Sequence, residues 1–135
     1  MVIHGVSAGA GSAALHLTAY GGRDDHLFTG AASEAVFWPA QPRVEELDWQ
    51  FNRTLKRVGC EDAEEPMACL RGKSKRKLQN RANRGRPFVD RDSSPKFYWT
   101  PCVDGDLVRD SPTNMFKSGK FIHVPMMLGT STDGE

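Results

Sequence analysis

Residues 2–22 read Val2-Ile3-His4-Gly5-Val6-Ser7-Ala8-Gly9-Ala10-Gly11-Ser12-Ala13-Ala14-Leu15-His16-Leu17-Thr18-Ala19-Tyr20-Gly21-Gly22, and the interpretation of the whole chain starts from them. Val2 and Ile3 are apolar and close a strand. A glycine-rich turn follows. From Ser12 to Leu17 the chain is rich in Ala and Leu, which favour helix, and Ala14, Leu15 and Leu17 can pack inward. Gly21-Gly22 stops that helix. The opening is therefore expected to be strand end, tight turn, then a helix of about three turns.

Downstream of this stretch, Leu27 to Trp38, ahead of Pro39, contains a second expected strand. Val44, Leu47, Phe51, Leu55 and Val58 recur at three and four residues, the stripe of an amphipathic helix, and Gly59 stands where such a helix stops. Cys60 and Cys69 enclose an acidic loop, and Leu70 to Ala82 is helix-compatible and basic. Residues 85–96 read as a loop and Phe97-Tyr98-Trp99 as a short strand. Val103 to Val108 reads as a turn between extended segments and Pro112 to Gly119 as one short helix. Phe121 to Gly129 is the clearest late strand, with Pro125 requiring an edge or a strand start. There is no internal repeat. Strands alternating with helices predict an α/β fold.

The chain has 135 residues, about one domain by length. Its 39% hydrophobic and 26% charged residues suit a packed chain rather than a disordered one. Eighteen cations against 17 acids leave +1, which argues against a generally nucleic-acid-binding or polyacidic protein. No apolar run approaches the length of a bilayer span, so no stable membrane insertion is expected. Residues 1–9 lack the pattern of a signal peptide. Three cysteines are too few for a disulfide scaffold.

Gly5-Val6-Ser7-Ala8-Gly9 fits G-x-S-x-G. A serine hydroxyl is a poor nucleophile unless its oxygen is presented freely to a base. A sharp strand-to-helix bend presents it, at the cost of a strained serine backbone and crowded neighbours, and glycines on both sides are expected to relieve that crowding. The helix that follows aims its N-terminus at the reaction centre, where the Ala8 N–H can bind a developing oxyanion. The pattern also occurs in unrelated loops, so its weight comes from the expected strand before it and helix after it.

Residues 5–31 (GVSAGAGSAALHLTAYGGRDDHLFTGA) resemble the nucleophile-elbow segment of the type B carboxylesterase/lipase family, the cholinesterase-like α/β-hydrolases, and are most like its fungal lipase and esterase branch. The resemblance continues through GCEDAEEPMACLR (59–71), FYWTPCVDGDLVRD (97–110) and GKFIHVPMMLGTSTDGE (119–135). It implies a partial α/β-hydrolase domain over residues 1–135, a carboxylic ester hydrolase with Ser7 as nucleophile, Ala8 N–H in the oxyanion hole, and a Cys60–Cys69 disulfide. It implies small-molecule or lipid esters as substrates, and a secreted full-length protein. No cofactor is required by acyl-enzyme chemistry. Val6 stands where the family commonly has Glu. The family's acidic residue lies in an Asp-Glu-Gly motif; here the order is Asp133-Gly134-Glu135, so Glu135 is the candidate acid by a one-residue shift. The family order is Ser, acid, His, and no His follows Glu135. The chain is thus expected to be a central piece of a larger enzyme, with little or no activity alone. The competing class is a catalytically silent cholinesterase-like interaction protein.

His4 and His16 are expected to be structural, and His123 precedes the acid and so does not match the base. No histidine spacing suggests a metal site. Asn52-Arg53-Thr54 is an N-glycosylation sequon on the exposed side of its helix, consistent with secretion. Cys102 reads as a small buried apolar residue. Arg71, Lys73, Lys75, Arg76, Lys77, Arg81, Arg84 and Arg86 form a basic run without an acid. No aromatic interrupts it before Phe88, so a solvated face is favoured over a nucleic-acid site. Phe37, Trp38, Trp49, Phe97, Trp99 and Phe121 are expected to pack against parts outside this chain. Marginal stability and a tendency to aggregate are expected for the same reason.

Overall fold

Three parallel strands carry the candidate site. In the computed structural model, which describes residues 1–82 and 99–131, β1 (Val2–Val6), β2 (Gly30–Glu34) and β3 (Met126–Gly129) form one sheet in that order. Val2 stands opposite Gly30 and Val6 opposite Glu34, while Ala31 stands opposite Met126 and Glu34 opposite Gly129. Helix α1 (Ala8–Thr18) leaves β1 through a bend at Ser7 and leads back to β2, so strand, helix and strand form a βαβ unit.

Small residues explain how closely α1 lies on the sheet. Ala10, Gly11, Ala13, Ala14, Leu17 and Thr18 are its buried residues. A methyl group on Gly11 would stand 2.4 Å from the Phe37 carbonyl oxygen, so only glycine fits there. Leu17 is fully buried with Phe28, Ala31 and Ile122, and Ile3, Phe116 and Val124 pack around them. Burying one such leucine contributes about 2–3 kcal/mol. The helix gives way to a 3₁₀ turn at Ala19–Gly21, and Gly22, at φ 82°, ends it in the left-handed region.

The late strand is shorter than expected. Phe121 to Pro125 lies outside the sheet because its hydrogen bonds go elsewhere: Ile122 N donates to the Leu17 carbonyl of α1 at 2.8 Å. Pro125 has no N–H to give, but its carbonyl accepts from Ala31 N at 3.0 Å and leads directly into β3. Helix α5 (Pro112–Lys117) forms where expected, with Pro at its first position and the Ser111 hydroxyl capping Asn114 N. Its Phe116 stacks on Trp38 (6.0 Å between centroids) and lies 4.9 Å from Phe121. Trp38 and Phe121 thus find partners within the chain, contrary to expectation. Residues 105–108 form the expected bend, and Val103 before it makes an isolated bridge.

The described residues separate into two compact units: residues 1–41 with 101–135, described above, and residues 42–100. The second unit holds α2 (Asp48–Val58), α3 (Pro66–Arg71) and α4 (Lys75–Ala82). The expected stripe is corrected here. Val44–Leu47 is a 3₁₀ turn, which shifts the phase before α2 begins. Leu55 and Val58 are buried, but Phe51 is 40% exposed, and Gln50 and Thr54 complete the buried face. The Thr54 hydroxyl satisfies itself on the Gln50 carbonyl at 2.8 Å. Gly59, at φ 68°, ends α2 in the left-handed conformation that glycine adopts at least cost.

Cys60 and Cys69 form a disulfide, with Cα atoms 5.9 Å apart. Leu55, Val58 and Cys60 are the buried cluster of this unit, and Cys69, Leu70 and Leu78 pack on it. The basic stretch is two helices rather than one, because the chain breaks at Gly72 and Ser74 re-caps it, its hydroxyl accepting from Lys77 N. Trp99 is 53% exposed and not in a strand. The loop expected at 85–96, with Phe97, Tyr98 and Asp133 to Glu135, lies outside the described residues.

Candidate active site

β1 runs into Ser7 and α1 leaves from Ala8, so the serine occupies the single residue between a sheet strand and a helix N-terminus. Its backbone is at φ 56°, ψ −118°, a conformation that L-residues avoid. Three hydrogen bonds hold it there. Ser7 N donates to the Glu34 carbonyl at 3.0 Å, and the Ser7 carbonyl accepts from Gly11 N at 3.1 Å and from Phe37 N at 3.3 Å. The partners belong to the helix, to the last residue of the neighbouring strand and to the segment just after it. The bend is thus over-determined by its surroundings, the condition under which such strain persists.

The two flanking glycines differ. A Cβ on Gly5 would lie 2.2 Å from the Gly9 carbonyl carbon and oxygen and 2.6 Å from Ala10 N, so helix and strand can approach this closely only because position 5 lacks a side chain. A Cβ on Gly9 would meet nothing within 4 Å. The expectation that both glycines relieve crowding is therefore corrected: Gly5 does, and Gly9 does not.

Ser7 is exposed. Ala8 is the first residue of α1, and no side chain caps that end of the helix. Its first N–H groups therefore point outward with the positive end of the helix dipole behind them. A cavity of about 450 Å³ lies along the C-terminal halves of β2 and β3, bordered by Val6, Ser33, Glu34, Ala35, Leu128 and Gly129, and Ser7 does not line it. Ala35 also has a positive φ of 46°, and its N–H is held by the Gly129 carbonyl at 2.9 Å.

None of the four histidines is paired with Ser7. His4 Nε2 is 3.0 Å from Glu34 Oε1 on the exposed sheet face. His16 Nδ1 is 2.8 Å from the Ser12 carbonyl, His26 is 3.3 Å from Asp24, and the His123 ring lies 4.4 Å from that of Phe121. Glu135 is outside the described residues. Asn52 is exposed on α2, and Cys102 is free and half-buried rather than buried. The basic side chains of α4 are exposed. Sequence reasoning missed Glu34 and Phe37, which hold Ser7 through main-chain atoms. A backbone partner leaves no side-chain signal, and only the strand register places it.

The carboxylesterase family matches residues 1–135. Neuroligin-2 of Rattus norvegicus is 31% identical over 130 residues, covering 92% of this chain and 14% of the relative. The secreted triacylglycerol lipase LIP1 of Gibberella zeae is 30% identical over 139 residues, covering 98% of this chain and 24% of the lipase. Among solved structures, Aspergillus niger EstA superposes with a TM-score of 0.81 at 47% identity, over 93% of this chain and 24% of EstA. The chain therefore spans a quarter or less of each of these three proteins. The likeness to EstA makes its βαβ unit and third strand part of an esterase α/β-hydrolase fold. Family profile, relatives and solved structure converge on one conclusion: this chain belongs to the carboxylesterase family.

Proposed function

We propose that this chain carries the nucleophile of a serine carboxylic ester hydrolase and that residues 1–135 are part of one catalytic domain. The observation that supports it best is the strained Ser7, fixed between β1 and α1 with its neighbours held back by Gly5. Ser7 Oγ attacks the ester carbonyl carbon and the alcohol leaves, giving an acyl-enzyme that water then hydrolyses. The Ala8 N–H stabilises the tetrahedral oxyanion; one such donor is worth about 3–4 kcal/mol. Glu135 is the proposed acid. The base is a histidine from outside these 135 residues, since the four present are engaged elsewhere.

Substrates are small-molecule or lipid esters, a reading supported by the lipase among the relatives. Secretion is supported by the disulfide, by that relative's printed name and by the exposed Asn52 sequon, the proposed glycan site. The test has two arms. The 135-residue chain should hydrolyse a 4-nitrophenyl ester no faster than its Ser7→Ala variant, because losing a triad member costs on the order of 10⁴–10⁶ in rate. In the longer gene product that supplies a histidine, a fluorophosphonate should label Ser7 and lose the label in Ser7→Ala. Absence of any label there supports the silent interaction protein instead.

A further inference from the structure

Helix α4 (Lys75–Ala82) is built against its own stability. Lys75, Arg76 and Lys77 occupy its first turn, where the helix dipole disfavours cations, and no acid offsets them. Lys77 and Arg81 are like charges four residues apart on the helix, a spacing that repels. Arg71 and Lys73 lead into the helix, and no Asp or Glu lies between residues 71 and 82. Among the described residues none of these six cations forms an ion pair. An ordinary solvated helix alternates sign along its face.

The orientation of α4 is set by Leu78, which packs on the cluster of Leu55, Val58 and Cys60 beside the disulfide. At about 100° per residue, Arg76 and Asn80 then lie opposite Leu78, with Lys77 and Arg81 along one flank, and all four are exposed. That face carries no apolar or aromatic side chain, so it suits a charged surface that it lies on rather than enters. We propose that this face docks on an anionic lipid surface. The choice of lipid rests on the ester-hydrolase reading above. It is favoured over nucleic acid by the lack of bases' stacking partners on the helix.

The experiment is co-sedimentation of the 135-residue chain with vesicles of phosphatidylcholine, with and without about one third phosphatidylglycerol. Binding should require phosphatidylglycerol and fall steeply with salt. The triple variant Arg76→Gln, Lys77→Gln, Arg81→Gln removes repulsion and should keep the fold, checked by circular dichroism. It should bind on the order of 100-fold more weakly. The matched variant Arg109→Gln, Lys117→Gln, Lys120→Gln, in the other unit, should bind as the parent does. Equal loss in both triples, no loss in the first, or tighter binding to duplex DNA than to the vesicles would overturn the proposal. Ser7→Ala should bind vesicles unchanged, so a failed nucleophile assignment and a failed docking surface give different results.

Discussion

Gly5 and Gly9 look equivalent in the G-x-S-x-G pattern, yet a side chain is forbidden at one and free at the other. Gly5→Ala should cost about 3 kcal/mol or more, because the methyl group meets main-chain atoms that cannot move without breaking the bend. Gly9→Ala should instead stabilise by about 0.5–1 kcal/mol, since it removes a glycine from an α-helix and meets nothing. Urea denaturation of the two variants checks the opposite signs. Asp104 gives a second residue-level prediction. Its Oδ1 accepts from Asp106 N and Val108 N, each at 2.9 Å, and these bonds hold its carboxyl below the ordinary value of 3.8. A depressed folded-state value means that the stabilisation is complete above 3.8 and is lost as pH falls through the folded-state value. The amide proton shifts of Asp106 and Val108 should therefore titrate together with a midpoint below 3.8. A midpoint at or above the ordinary value would refute the assignment.

Among elements, the strands and α1 were readable because local and tertiary demands agree. Val2, Ile3 and the Ala/Leu run favour the states they adopt, and Gly22 stops the helix by its own conformational freedom. α2 was misread in part: a periodicity count assumes one helix geometry, and the 3₁₀ turn before it changes the phase. The late strand was overextended because Phe121 to Val124 are β-favouring, while the competing partner, the Leu17 carbonyl, is more than 100 residues away in sequence. The Cys60–Cys69 pairing, implied by resemblance, is formed. Closing a ten-residue loop, it should contribute roughly 2.5–3 kcal/mol on the chain-entropy account. Cys60→Ser with Cys69→Ser should lower the stability of the helical unit by that amount in guanidinium titration. An unchanged midpoint would show that α2, α3 and α4 hold together without it.

At the scale of the whole molecule, the described sheet ends in β1 on one side and β3 on the other. Val2 and Val6 are 61% and 54% exposed, and Met127 and Leu128 are 73% and 68% exposed. Apolar strands exposed in this way pair with other chains. Sedimentation velocity of the 135-residue chain should show association that grows with concentration, and charge placed on the outer strand by Met127→Lys should reduce it. A monomer at all concentrations would show that these surfaces are tolerated in water. The sequence by itself determined the α/β alternation and the position of the serine turn, because each is written in adjacent residues whose propensities and spacing act locally, while the family followed from resemblance. Tertiary structure alone decided that Gly5 and not Gly9 makes room, and that main-chain atoms of Glu34 and Phe37 hold Ser7. It also decided that β3 begins only after Pro125. Those outcomes depend on strand register and on distances between segments far apart in the chain, and no local pattern of side chains encodes them.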